Sequence, residues 1–85
     1  MSTVVRRRAD RALGHIIQTE DGSHYYIDST YTRYKGFETM VFKCGKNGRV
    51  YNWNDLYCER YETVDALYER HMYLIGNLEE VLNNG

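Results

Sequence analysis

One stretch of this chain has a sustained helical period, and it comes last. Val64, Leu67, Tyr68, His71, Leu74, Ile75, Leu78, Val81 and Leu82 recur at three- and four-residue spacing, which lays them along one side of an α-helix. Such a helix must bury its stripe against another element. Everything upstream is written in short runs of Ile, Tyr, Val and Phe between turn signals, which is strand patterning. Thr63 is a good N-cap, and Asp65 puts negative charge in the first turn, where it suits the helix dipole. Gly76 costs about 1 kcal/mol against Ala in a helix interior and marks a bend or a close approach. The apolar stripe is wide, with Met72 at its edge, and can serve a sheet on one side and a second copy on the other.

Two hairpins are expected ahead of the helix. HIIQT and SHYYID flank Asp21-Gly22, a two-residue turn signal. That turn sets His15 opposite Asp28, Ile16 opposite Ile27 and Ile17 opposite Tyr26. Residues 31–36 read as a polar, aromatic connector. Residues 37–53, FETMVFKC-GKNG-RVYNW, read as the second hairpin. Either turn register puts Met40, Phe42, Cys44, Tyr51 and Trp53 on one face, because a one-residue slip would scatter them. These are expected to face Val64, Leu67, His71, Leu74, Ile75 and Leu78. The other face carries Thr39, Val41, Lys43, Val50 and Asn52. Residues 54–56 form a turn, and residues 57–61 alternate and can add a short fifth strand. The fold class is α+β: a small antiparallel sheet of two hairpins with one C-terminal helix packed on it. Residues 1–13 are expected to be a basic arm, mobile or holding a turn or two of helix, and residues 14–85 a single domain.

Composition narrows the function classes. Eighty-five residues make one domain of modest stability. Two Cys are too few for a disulfide framework, there is no secretory hydrophobic segment, and no apolar run is long enough to span a membrane. A cytoplasmic protein with reduced thiols is expected. Residues 1–49 carry nine Lys/Arg against five Asp/Glu, and residues 50–85 two against seven. The basic excess is concentrated in Arg6, Arg7, Arg8 and Arg11.

Several constellations have bland explanations. His71 lies in the apolar stripe, where a histidine is ordinarily a core residue with its ring nitrogens satisfied. Cys44, Cys58 and His71, with His24 or His15, lack the closely spaced ligand pairs of structural zinc sites, so no metal and no cofactor are expected. His15, Asp28 and Ser23 or Ser29 have the residue types of a hydrolase triad, but types without geometry mean little. No enzymatic activity is expected. The Arg cluster with Tyr31, Arg33, Tyr34 and Lys35 suits nucleic acid, cations meeting phosphates and rings stacking on bases. The slightly acidic chain as a whole argues against that. Asp55, Glu59, Glu62, Asp65, Glu69, Glu79 and Glu80 make an acidic counterpart that can sit in a basic groove of a partner.

The run from Glu38 onward resembles small uncharacterised proteins of phages and prophages. The matching residues are Glu38-Thr39-Met40-Val41-Phe42, Asp55-Leu56, Arg60-Tyr61, Thr63, Ala66 and His71. The resemblance covers roughly the last 50 residues and carries no assigned chemistry. It implies a non-enzymatic accessory protein that occludes a host protein, with inhibitors of CRISPR effectors or other defence nucleases a recurring type. On that reading Tyr31, Arg33, Tyr34, Lys35, Glu69 and Tyr73 are the protein-binding candidates, in a homodimer built on the wide helix stripe. The alternatives are a nucleic-acid-binding accessory protein using Arg6, Arg7, Arg8 and Arg11, and a structural component of a phage particle.

Overall fold

The computed structural model describes residues 3–7 and 13–84. Strands β1 (Thr3–Arg7), β2 (Leu13–Gln18), β3 (His24–Thr32), β4 (Gly36–Cys44) and β5 (Tyr57–Tyr61) lie in chain order in one antiparallel sheet. Helix α1 (Val64–Asn84) packs across it. The fold is α+β, as the sequence indicates. Its strands form a meander rather than two separate hairpins.

The β2–β3 hairpin closes one residue differently from expectation. Thr19 N–H donates to Ser23 O at 2.9 Å and Gly22 N–H to Thr19 O at 3.0 Å, which makes a three-residue loop. Gly22 takes the left-handed conformation at φ 88° that ends such a loop. Asp21 locks it by accepting from the Thr19 hydroxyl at 2.6 Å and from Ser23 N–H at 3.0 Å. These hydrogen bonds, the Thr19 hydroxyl first, hold the Asp21 carboxyl down at about 2. The slip pairs His15 with Ile27, Ile16 with Tyr26 and Ile17 with Tyr25, and sets Asp28 opposite Gly14 instead of His15.

The expected connector is a turn within the sheet. β3 runs on to Thr32 and pairs with β4 from Gly36, leaving residues 33–35 as the tip. Gly36, at φ 71°, again supplies the left-handed residue, and Lys35 N–H donates to the Thr32 hydroxyl. The other edge of β4 pairs with β5, from Phe37 opposite Tyr61 to Val41 opposite Tyr57. Residues 49–53 are therefore not a strand. After a tight turn in which Gly45 N–H bonds Arg49 O, they form a loop across the sheet.

That pairing inverts the expected core. α1 packs on the face of Ile17, Ile27 and Val41, which join Leu74 and Leu78 in one buried cluster flanked by Tyr25, Tyr57 and Ile75. Met40, Phe42 and Cys44 point to the opposite face, with Ile16, Tyr26 and Val50. Tyr51 and Trp53, expected inside, are 68% and 57% exposed. Trp53 caps the second cluster edge-on, its ring 5.0 Å from that of Phe42. Full burial of each large side chain contributes roughly 1.5–3 kcal/mol, and both faces of this thin sheet contribute.

The expected arm departs from its reading as well. Residues 3–7 form β1 and pair with β2, with a bulge between Val4 and Arg6. Arg6 and Arg7 stand in register with Ile16 and His15. Arg8 and Arg11 lie outside the described residues.

α1 begins where the sequence indicates. The Thr63 hydroxyl accepts from Ala66 N–H at 3.1 Å. The helix kinks at Asn77, φ −133° and ψ 21°, just after Gly76. The Asn77 side-chain amide donates to Tyr73 O at 2.9 Å and so occupies a carbonyl that the kink frees. Thr63→Ala should cost about 1 kcal/mol in urea unfolding through the lost cap. Gly76→Ala should stabilise by about 0.5–1 kcal/mol, because a Cβ there meets nothing within 4 Å.

Candidate functional site

Between α1 and the sheet runs a chain of four polar side chains. Ser29 on β3 and Thr39 on β4 are cross-strand partners on the helix-covered face, and their hydroxyls are 2.6 Å apart. The Ser29 hydroxyl is also 2.6 Å from His71 Nδ1. The far side of that ring, Nε2, lies 2.9 Å from His15 Nδ1 on β2. His71, Ser29 and Thr39 are buried and His15 is half-buried, so the chain leads from the margin of the molecule to its centre.

The geometry permits two proton arrangements. In one, His15 Nδ1–H donates to His71 Nε2, His71 Nδ1–H donates to Ser29, and Ser29 donates to Thr39. In the other, every bond reverses. Both satisfy the four side chains' contacts with each other when the rings are neutral. A proton arriving at His15 selects the first arrangement without breaking it. A second proton would put N–H against N–H across 2.9 Å, so this pair holds at most one. Burial, and then the charge of His15, hold His71 down at about 4.

The arrangement holds a serine, a histidine and a second histidine in series, as nucleophilic catalysis requires. The sequence draws the triad as His15, Asp28 and Ser23 or Ser29. Asp28 is on the other face of the sheet, and Ser23 is in the turn beyond β2. Ser29 is 2% exposed beneath the helix, so no substrate carbonyl reaches its hydroxyl. The chain ties α1 to β2, β3 and β4 through directional bonds that apolar packing alone does not specify.

The other sequence candidates fall at separate places. Tyr31, Arg33, Tyr34 and Lys35 gather at the β3–β4 tip, where Tyr31 is 62% and Tyr34 99% exposed. The Tyr31 ring rests 4.9 Å from that of Phe37. Glu69 and Tyr73 lie on α1, with Tyr61, Ala66 and Arg70, around a shallow groove of about 350 Å³ that none of the tip residues lines. Cys44 and His71 are on opposite faces of the sheet, which separates the residues of the zinc constellation. Among the described residues no group of three or more His, Cys, Asp or Glu is placed to hold a metal, and no helix is long and apolar enough to cross a membrane.

Sequence reasoning missed two features. One is Glu38, buried on β4, accepting from Arg60 Nε at 3.1 Å and lying 3.5 Å from Cys58 Sγ. Partial burial of the sulfur, and then the Glu38 charge, raise the exposed Cys58 thiol above its ordinary range. The other is Arg70, whose Nε donates to the Tyr57 hydroxyl at 3.0 Å and lies 3.5 Å from Glu59. Its guanidinium stacks 4.7 Å from the Tyr73 ring centre. Both depend on pairing β5 with β4, which alternation alone does not reveal. Comparison with protein families, with curated proteins and with solved structures returns no match.

The polar chain makes stability depend on pH in a definite direction. Because His71 titrates lower when folded, the unfolded chain binds the extra proton first. Its contribution is complete above about pH 6.5 and is lost as pH falls toward 4. Urea unfolding should show stability falling as pH drops through that window. Ser29→Ala should cost about 1–3 kcal/mol at pH 7, because it leaves the buried His71 Nδ1 without its partner.

Proposed function

We propose that this chain is a non-enzymatic binding protein that acts by occluding the surface of another protein. The resemblance to small phage accessory proteins points to a host protein as the target, inside the host cell, with a defence nuclease as the favoured kind. The observation that carries the reading is the aromatic tip between β3 and β4. Tyr34 is 99% exposed, beside the exposed Arg33 and Lys35, and the fold itself gains nothing from it there. Tyr and Arg are the side chains that most often dominate protein interfaces, because they bury much area and still offer polar groups. The enclosure of the Ser29–His71 pair fits the same reading, since it leaves that chemistry structural. Val64, Tyr68 and Met72, exposed one turn apart along α1, would suit a second copy.

A second reading, nucleic-acid binding, draws support from the loop that crosses the sheet. Arg49 lies 5.2 Å over the Tyr51 ring, and Trp53 is exposed two residues on. Cations and stackable rings there would add to the Arg6, Arg7, Arg8 and Arg11 cluster.

The triple variant Tyr31→Ala, Arg33→Ala, Tyr34→Ala should keep the wild-type melting temperature within a few degrees. It should weaken capture of a host protein, identified by mass spectrometry, at least tenfold. Undiminished capture would remove the tip from the interface. For the second reading, binding to single-stranded DNA should fall steeply with salt.

A further inference from the structure

β5 ends the sheet, and its outer edge is open among the described residues. Sheet edges are commonly blunted by bulges, Pro or exposed charge. β1 has a bulge, whereas β5 keeps regular register with β4 over all five residues. Its two charged side chains are drawn back onto the molecule: Glu59 toward Arg70 at 3.5 Å, and Arg60 onto Glu38 at 3.1 Å. The edge is therefore regular in register, and the charges it carries, Glu59 and the 61% exposed Arg60, are paired within the molecule.

Beside this edge, between β5 and α1, are two grooves that share Arg70 and Tyr73. One, of about 350 Å³, is lined by Tyr61, Ala66 and Glu69 as well. The other, of about 280 Å³, is lined by Tyr57, Glu80, Val81 and Asn84 as well. Tyr57 and Tyr61 are four residues apart on one strand, about 13 Å at roughly 3.3 Å per residue. That spacing matches side chains i and i+4 of an added strand, with i+2 passing Tyr73. The walls are preset, since Arg70 is tied to the Tyr57 hydroxyl and stacked on Tyr73. Burial, first, raises the Tyr61 phenol above its usual range and keeps it protonated. Arg70 is matched by Glu59, so Glu69 and Glu80 leave the rims negative.

We propose that the open edge of β5 and the two grooves flanking Tyr73 form a docking site for an extended, basic segment of a partner protein, which adds as a sixth strand. Backbone hydrogen bonds to β5 supply affinity, and aliphatic side chains at i and i+4 enter the grooves. Lys or Arg at i−2 and i+6, on the same face of the added strand, meets Glu69 and Glu80. The proposal rests on the binding reading above and names a surface and a partner chemistry for it.

The test uses the full chain and a capped peptide, Arg-Thr-Val-Thr-Ser-Thr-Val-Thr-Arg, whose two Arg lie on the same strand face as its two Val. Saturable binding is expected, with the largest amide shifts confined to residues 57–61 and their neighbours on α1. The double variant Glu69→Lys, Glu80→Lys, both at the surface, should weaken it at least tenfold. So should N-methylation of the peptide amides that face β5. Equal affinity for the same peptide with Glu in place of Arg, indifference to N-methylation, or shifts elsewhere would overturn the proposal. Concentration-dependent self-association abolished by the double variant would also overturn it, by placing a second copy on the edge. A host protein captured equally by wild type and the double variant would overturn the groove assignment and leave the binding reading standing. Peptide seated on β5 with no host protein captured would support the groove and remove that reading.

Discussion

The seam between α1 and the sheet is the contact on which the other features depend. Leu74 and Leu78 close on Ile17, Ile27 and Val41, and His71 bonds to Ser29 within the same layer. Apolar contacts are non-directional and would tolerate a helix slid or rotated by a fraction of a turn. The Thr39–Ser29–His71–His15 chain is directional. Its bonds at 2.6–2.9 Å tie α1 to three adjacent strands, so that one axial and rotational setting satisfies all four side chains. Once that setting is fixed, Arg70 and Tyr73 must lie beside β5, and Val64, Tyr68 and Met72 must lie on the opposite, exposed flank.

A sheet covered by a single helix ordinarily leaves its other face to solvent. Here that face buries Ile16, Tyr26, Phe42 and Cys44, and the loop after β4 helps to cover it. Val50 sinks in and Trp53 lies edge-on to Phe42. The loop is neither helix nor strand, so its grip depends on these two side chains and on tight turns such as that at residues 45–49. The aromatics it leaves outside, Tyr51 and Trp53, are a consequence of covering a flat face with one strand of irregular chain.

The surfaces that remain differ in character. The β3–β4 tip presents Tyr31 and Tyr34 among cations. The β5 edge presents a row of backbone groups beside tyrosine-walled grooves with acidic rims. These lie on separate elements. The groups best arranged for chemistry, Ser29 and His71, are sealed by the helix whose position they define.

The sequence by itself determined the α+β class, the span and N-cap of the helix, and the place, though not the length, of the turn at Asp21-Gly22. Each of these rests on residues close together along the chain, where periodicity and turn chemistry act directly. Only the tertiary structure decided that Val41 rather than Phe42 faces α1, that residues 57–61 and not 49–53 pair with β4, and that residues 3–7 join the sheet. Alternation of period two specifies which side chains share a face, but neither which face is covered nor which strand lies alongside. β4 is apolar on both faces, so its pattern fits either burial. The choice was made by residues far apart in sequence: Gly36 opening a turn, Ser29 and Thr39 offering hydroxyls, and His71 arriving from the helix to meet them.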